Sequence, residues 1–154
     1  MGRFTFIACL FLLVGVTKAQ TIDTFTITYI IDGDTFGGIN AEGEHRRFRP
    51  IGIDCPETGK RNGNPEPFHQ EATDFTTSLL KGKKVQVVYD VQPKDHYNRD
   101  LVYVYLMDGT FYNKEIMKAG LAQTMSIAPN VRFADLFREE QRQAREQGRG
   151  LWKE

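Results

Sequence analysis

The chain has 154 residues and a mass of 17.6 kDa, enough for one domain with a hydrophobic core but not for two. Hydrophobic residues make up 40% and charged residues 26%, which excludes a disordered or fibrous protein. The 20 basic and 20 acidic residues balance, which excludes a protein that holds nucleic acid by overall charge alone.

The N-terminal segment, residues 1–19, is predicted to be a secretory signal peptide. A basic residue, Arg3, precedes an apolar run over residues 4–16, and Ala19 stands at a small-residue position before a cleavage point. The apolar run is short for a helix that spans a bilayer. Two alternatives stay open, an uncleaved membrane anchor and a buried N-terminal segment.

Cleavage there would change the charge and the cysteine content of the mature domain, residues 20–154. Loss of the two basic residues of the signal would leave 18 basic against 20 acidic residues. Cys9 would also be lost, so Cys55 would be the only thiol and no internal disulfide could form. The fold must then depend on packing.

The first third of the mature domain has the pattern of antiparallel strands. Residues 24–31 alternate in the manner of a half-buried strand. Turn residues on both sides of a short stretch then predict a hairpin, followed by a third strand over residues 46–53. The side chains expected to face the core from the first strand are Phe25, Ile27, Tyr29 and Ile31.

Helical and strand patterns follow one another through the middle of the chain. Glycine, asparagine and proline predict an exposed loop over residues 59–67, and the apolar spacing predicts a helix over residues 68–80. β-branched and aromatic residues predict strands over residues 83–91 and 99–109.

Two helices are expected near the C-terminus, a short one over about residues 113–119 and a long one over residues 131–147. Trp152 should pack back on the barrel or its helices. Five or six short strands with appended helices predict an α+β protein, mainly β, with a small closed sheet. The residues expected on the buried side of the long helix are Phe133, Leu136, Phe137, Gln141 and Ala144.

The stretch IIDGDTF places Asp32 and Asp34 around a glycine at the end of the first strand. By itself this composition is typical of a hairpin turn. It is also too short for a calcium loop of the EF-hand type. The two carboxylates therefore become candidates for a cation only in combination with other segments.

The stretch RFRPIGIDCPET, residues 47–58, places Asp54 and Glu57 on either side of a Cys-Pro pair. A solvated surface turn is the simplest interpretation. Arg49 lies five residues before Asp54, so strict alternation puts the two side chains on opposite faces of a strand. They can meet at one site only if the strand bends at the proline and glycine between them.

The stretch KDHYNRDLVYVY places Tyr97 and Arg99 in a turn before a strong strand. Alone, such an arginine is normally a solvated charge. Together the three segments offer carboxylates for a hard cation, a spare acid and two arginines, the equipment for phosphoryl transfer. Cys55 is not expected to be a nucleophile, because the neighbouring acids disfavour its thiolate.

These segments, with EATDF, HYNRDLVYVYLMDGTFYNKEIMKAGLA and the terminal GLW, resemble the staphylococcal nuclease (thermonuclease) family in order and approximate spacing. The resemblance covers residues 24–152. It implies an OB-fold, a five-stranded β-barrel with three helices, and a calcium-dependent nuclease acting on DNA and RNA.

The resemblance also implies roles for individual residues. Asp34 and Asp54 would be carboxylate ligands of Ca²⁺, and the backbone carbonyl of Cys55 would be a further ligand. Glu57 matches the acid that positions or deprotonates the attacking water.

Arg49 and Arg99 match the two arginines that hold the scissile phosphate, and Tyr97 matches a tyrosine near the nucleotide phosphate. The implied reaction breaks the 5′ P–O bond and leaves 3′-phosphate ends. We expect a secreted or periplasmic monomer, free of the membrane after signal cleavage, with little sequence specificity and a preference for single strands. The alternative is an OB-fold module that binds nucleic acid or protein without turnover.

Two departures from the family pattern concern affinity. The mature chain is slightly acidic, whereas the best-known member of the family is strongly basic. The stretch QTMSIAPN has no aromatic residue where the family often has a tyrosine that stacks on the base. We expect weaker binding, by the ~1–3 kcal/mol typical of one stacking contact.

Overall fold

The computed structural model describes residues 22–59 and 63–153. The predicted signal peptide, residues 1–19, lies outside those ranges, as does part of the predicted loop over residues 59–67. No helix within the two ranges is long and apolar enough to cross a membrane. The elements found there, in chain order, are β1 (Ile22–Asp32), β2 (Thr35–Ile39), β3 (His45–Pro50), β4 (Gly52–Asp54), α1 (His69–Leu80), β5 (Lys84–Lys94), β6 (Asp100–Leu106), α2 (Tyr112–Lys118), β7 (Gln123–Met125), α3 (Ala134–Glu146) and a 3₁₀ turn (Gly150–Trp152).

Five strands close into a barrel in the order β1, β2, β3, β6, β5. Neighbouring strands are antiparallel except for β3 and β6, which run parallel. A parallel pair needs a long crossover, and here that crossover contains α1 and β5. The predicted α+β class and the OB-fold, a five-stranded barrel with three helices, are confirmed.

Aromatic and branched side chains fill the barrel. The rings of Phe25 and Phe48 meet edge to face with centroids 5.0 Å apart. The ring of Phe36 meets that of Tyr112 at 5.7 Å, which joins the barrel interior to α2. Completely buried members of this core include Ile27, Phe36, Phe48, Leu80, Val85, Val87, Val102, Val104 and Ile116.

The outward and inward faces of β1 exchange part-way along the strand. Its register with β2 shifts by one residue between Ile27 and Tyr29, and such a bulge reverses the side-chain alternation. Phe25 and Ile27 are buried as predicted, whereas Tyr29 and Ile31 are exposed. The prediction that all four face the core was wrong, because a bulge depends on the partner strand.

The predicted strand over residues 46–53 is divided into β3 and β4. Gly52 has a φ of 82°, and a Cβ at this position would lie 2.4 Å from Cε2 of Phe137, so the position requires glycine. β4 leaves the barrel and pairs with β7. The chain therefore bends where a bend was needed for Arg49 and Asp54 to meet.

Two helices hold the turn between β1 and β2. Tyr112 of α2 donates its hydroxyl hydrogen bond to the carbonyl oxygen of Gly33. Thr76 of α1 donates to the same oxygen at 3.1 Å. Two helices that are distant from the turn in the sequence therefore hold it in place by hydrogen bonds.

The C-terminal helix, α3, begins at Ala134 rather than at residue 131, and Val131 is exposed. The guanidinium carbon of Arg145 lies 4.1 Å from the centre of the Trp152 ring, so the predicted packing of Trp152 on a helix is confirmed. Of the residues predicted to be buried here, Phe137 and Ala144 are buried and Phe133, Leu136 and Gln141 are half-buried.

Asn113 secures the junction between β3 and β4. Its completely buried side chain donates from Nδ2 to the carbonyl oxygen of Ile51 at 2.9 Å. Its Oδ1 accepts the backbone N–H of Val104 at 3.0 Å. One amide thus satisfies a donor in the barrel wall and an acceptor at the bend.

We predict that Asn113→Ala lowers the free energy of unfolding by ~2–5 kcal/mol, because it leaves two buried backbone groups without partners. Urea denaturation measures the loss. Lys118→Ala, an exposed change on the same helix, should stay within about 0.5 kcal/mol. Similar losses for the two variants would contradict the assigned role of the amide.

Candidate functional site

Asp34 lies in the tight turn between β1 and β2 and is buried. Its backbone N–H donates to Oδ1 of Asp32 at 3.2 Å, which shapes the turn. Its Oδ2 accepts the backbone N–H of Cys55 at 2.6 Å, and its Oδ1 accepts the hydroxyl of Thr35 at 3.4 Å. The β1–β2 turn is therefore bonded directly to the chain that follows β4.

Arg49 joins the two acids predicted to bind a metal. Its Nη1 lies 3.0 Å from Oδ2 of Asp34, and its Nη2 lies 2.9 Å from Oδ1 of Asp54. Nη1 also donates to the carbonyl oxygen of Ile53 at 2.9 Å. The side chains of Arg49 and Asp34 are largely buried, whereas half of the Asp54 side chain is exposed. One guanidinium thus faces two carboxylates.

The buried groups of this cluster have shifted pKa values. Burial raises the pKa of Asp34 to about 7, against the opposing effect of Arg49, and the carboxylates of Asp32 and Asp54 raise it further. Burial, together with Asp34, also raises the pKa of the Cys55 thiol well above its usual range. Cys55 is therefore not expected to offer a thiolate to a ligand.

Glu57 follows β4 on the solvent side of the site. Its backbone N–H donates to Oε2 of Glu66 at 2.7 Å, and its carbonyl oxygen accepts the N–H of Glu66 at 3.0 Å. The carboxylate of Glu57 is exposed and has no hydrogen bond or ion pair with residues 22–59 or 63–153. It is available to a water molecule in the cleft.

Arg99 reaches from the β5–β6 turn to the β1–β2 turn. Its Nε lies 2.7 Å from Oδ2 of Asp95, and its backbone N–H donates to Oδ1 of the same residue at 2.9 Å. Its Nη1 lies 3.4 Å from Oγ1 of Thr35. Its guanidinium carbon lies 5.3 Å from the centre of the exposed Tyr97 ring. Asp95 therefore fixes Arg99 beside Thr35, the residue that follows Asp34.

A cleft of about 570 Å³ brings these side chains together on the outer surface of the barrel. Cys55 does not line the cleft, although its N–H holds Asp34. The predicted site residues that line it are Asp34, Arg49, Asp54, Glu57, Tyr97 and Arg99.

Sequence reasoning missed several residues of the cleft. Asp95 and Thr35 hold Arg99, and Arg47, Met125 and Ile127 add to the lining. Asp95 could have been found, because an aspartate that begins a short polar turn commonly accepts backbone N–H groups within it. Met125 and Ile127 carried no comparable signal, since they come from a segment distant in the sequence.

The atoms around Asp34 suit a hard cation. In the two described ranges no three His, Cys, Asp or Glu side chains form a metal-binding group. The candidate ligands are those that the family resemblance implies, the carboxylates of Asp34 and Asp54 with the carbonyl of Cys55. Calcium takes six to eight oxygens, so water and substrate would supply the remainder. The raised pKa of Asp34 and the excess of carboxylates over guanidinium fit such an ion.

Comparison with known proteins identifies relatives over most of the chain. A family model described as "Staphylococcal nuclease homologue" matches residues 47–154. The thermonuclease of Staphylococcus hyicus is 36% identical over 138 residues, which cover 90% of this chain and 80% of that protein. The thermonuclease of Staphylococcus intermedius is 36% identical over 130 residues, which cover 84% of this chain and 76% of that protein. Endonuclease YncB of Bacillus subtilis (strain 168) is 32% identical over 129 residues, which cover 82% of this chain and 60% of that protein.

We predict that the Cys55 thiol of the folded protein reacts with Ellman's reagent about 100-fold more slowly than in concentrated guanidinium chloride, because burial blocks access and suppresses the thiolate. The measurement uses the Cys9→Ser protein near pH 8.5, where an exposed thiol is about half ionised. Comparable rates in the two conditions would show that Cys55 is accessible and ionised.

Proposed function

Because this chain belongs to the staphylococcal nuclease family, we propose that it is a calcium-dependent nuclease that cuts DNA and RNA with little sequence specificity. Its relatives indicate a hydrolase of phosphodiester bonds, so a module that binds without turnover is not favoured. The observation that carries the proposal is that two arginines, two candidate metal-binding acids and a free carboxylate line one cleft.

The proposed metal ligands are Asp34, Asp54 and the backbone carbonyl of Cys55. Calcium, when bound, would supply positive charge beside the phosphate and lower the cost of developing negative charge. The buried position of Asp34 supports this role, since a desolvated carboxylate gains most from added positive charge.

Arg49 and Arg99 are proposed to hold the scissile phosphate. The planar guanidinium can donate to two phosphate oxygens at once, which an ammonium group cannot match. Arg99 is already oriented by Asp95, so little side-chain entropy is lost on binding. Arg49 donates to Asp34 and Asp54 in this structure, and it would donate to phosphate oxygens when those carboxylates hold calcium.

Glu57 is proposed to position the attacking water and accept its proton. The oxygen of that water forms the new bond to phosphorus as the bond to the 5′ oxygen breaks, and the departing oxygen keeps the bonding electrons. The products would be a 3′-phosphate and a 5′-hydroxyl that has taken a proton from solvent. The carboxylate of Glu57 is exposed and unpaired within residues 22–59 and 63–153, which supports this assignment.

A single strand is proposed as the preferred substrate, with Tyr97 as a contact for the nucleotide phosphate. The exposed position of Tyr97 in the lining of the cleft supports that contact. All the proposed functional groups lie on one chain, so a monomer would be competent.

We predict that Glu57→Gln lowers kcat by about 10²–10⁴-fold, the usual range for loss of a general base. The measurement is digestion of end-labelled single-stranded DNA with calcium, followed by identification of the new ends. Wild-type protein should yield 3′-phosphates and should stop cutting when EDTA is added.

Glu71→Gln is the matched control, because it removes one exposed carboxylate from the first turn of α1, outside the cleft. It should retain wild-type kcat. Cutting by Glu57→Gln at the rate of this control, or undiminished cutting in EDTA, would refute the proposed mechanism.

We further propose that the enzyme is exported and released from the membrane, on the basis of the signal-like pattern of residues 1–19. N-terminal sequencing of protein recovered outside the cytoplasm should begin at Gln20. Recovery of protein that begins at Met1 would favour a retained anchor.

A further inference from the structure

A cross-strand row of residues lies on the outer face of the barrel, next to the candidate site. Tyr29 of β1 is paired with Gly37 of β2, and Gly37 is paired with Arg47 of β3. The bulge after Ile27 turns Tyr29 outward, and Arg47 is exposed beside the buried Phe48. Tyr29, Gly37 and Arg47 therefore form one row across three strands.

The ring of Tyr29 covers Gly37. A Cβ at Gly37 would lie 2.3 Å from both Cζ and Oη of Tyr29, so a side chain at this position would collide with the ring. The Tyr29 side chain thus extends over β2 toward Arg47, whose backbone lies one further strand spacing, about 4.8 Å, beyond that of Gly37. Tyr29 nevertheless stays 37% exposed, and its outer surface is available for contact.

Arg47 has no ion pair or hydrogen bond through its side chain within the described ranges. The neighbouring cations differ, since Arg46 lies 3.3 Å from Glu44 and Lys94 lies 3.3 Å from Asp100. Within the described ranges, Arg47 is therefore a guanidinium without a charged partner, on the same face as the exposed Tyr29 ring and two strands away from it. A nucleotide carries a group for each of them, a negative phosphate for Arg47 and a flat base for the ring.

Arg47 also continues the candidate active site. It lines the same cleft as Arg49, which lies two residues further along β3. Residues two apart on a strand are separated by about 6.6 Å and share a face. That separation is of the order of the distance between successive phosphates in an extended single-stranded nucleic acid. A nucleic acid with one phosphate bound at Arg49 would therefore bring its next phosphate to Arg47.

We propose that Tyr29 and Arg47 form a nucleotide subsite beside the scissile position, with a base stacked on the Tyr29 ring and the adjoining phosphate bound by Arg47. The proposal rests on the proposed nuclease function and extends it, because it gives the single-stranded substrate a path across β3 and β2 to β1. Aromatic stacking and phosphate contacts are the two interactions by which proteins hold single strands without reading sequence.

A purely structural role for Tyr29 has to be separated from this one. An aromatic side chain over a cross-strand glycine stabilises a hairpin by itself. Such a role would change stability without making affinity depend on the length of the substrate, so the length dependence is the deciding readout.

The experiment measures how tightly a thymidylate dinucleotide and a thymidylate octanucleotide bind in the presence of calcium. Three proteins are compared: Glu57→Gln, Glu57→Gln with Tyr29→Leu, and Glu57→Gln with Arg47→Ala. Each added change should weaken octanucleotide binding by about 5- to 50-fold and dinucleotide binding by less than about 2-fold. Arg47→Ala should also reduce the salt slope of octanucleotide binding by about 0.7. Tyr29→Phe should keep the affinity, since it keeps the ring.

Arg138→Ala is the matched charge control, because it removes an exposed guanidinium on α3, away from the cleft and from Tyr29 and Arg47. It should leave both affinities unchanged. Unfolding curves verify that the variants are folded, and Arg47→Ala, an exposed change, tests the subsite even where Tyr29→Leu does not fold.

Equal losses on the two lengths, or no loss on the octanucleotide, would overturn the subsite while leaving the nuclease function intact. Failure of the wild-type protein to cut any oligonucleotide, together with failure of the Glu57→Gln protein to bind one, would overturn the proposed function, and the subsite with it. The two failures are therefore distinguishable.

Discussion

The bond between the Asp34 carboxylate and the backbone N–H of Cys55 is the contact around which the site is organised. It joins the β1–β2 turn to the chain leaving β4, two segments that the pairing of β2 with β3 and the bend at Gly52 bring together. The buried carboxylate of Asp34 needs a positive charge beside it, since an unpaired buried charge is strongly unfavourable. Arg49 supplies that charge, and the same guanidinium also contacts Asp54 in the cleft.

The cost of ionising Asp34 links stability to function. Its folded-state pKa of about 7 lies above the usual value of 3.8, so the folded state binds protons more tightly than the unfolded chain between those values. The ionised carboxylate therefore destabilises the fold progressively as the pH rises through this window. A cation bound beside Asp34 would offset the cost of ionising this carboxylate. The burial of Asp34 would thereby add to the affinity for a metal even with few protein ligands.

Buried hydrogen bonds hold in place the two turns that surround the Asp34 carboxylate. Tyr112 and Thr76 fix the carbonyl of Gly33 immediately before Asp34, and Asn113 fixes the bend before β4. Buried hydrogen bonds of this kind are costly to break, because their partners cannot turn to water. Both turns that meet at Asp34 are thus held by helices packed under the barrel, and the site is positioned by the core.

The order of the elements and most of the polar residues that line the cleft could be predicted from the sequence, but their connections could not. Alternation and apolar spacing are local, so the strand and helix order was predictable. The bend at Gly52 was recognisable as a possibility, while its positive φ depends on Phe137 packed against it. The outward turn of Tyr29 was not predictable, because the bulge arises from pairing with β2.

The charge of the chain must be considered by location rather than in total. Along α3, Arg138 and Arg142 are paired with acids of the same helix, so they add little to the attraction of a polyanion. Arg47 has no such partner in the described ranges, whereas Arg49 and Arg99 are paired with acids of the cleft. A phosphate would therefore meet one guanidinium without a charged partner there and two that are shared with carboxylates. Because the salt dependence of binding grows with the number of phosphates neutralised, a surface with so few available cations gives weaker affinity but less sensitivity to salt than a uniformly basic surface.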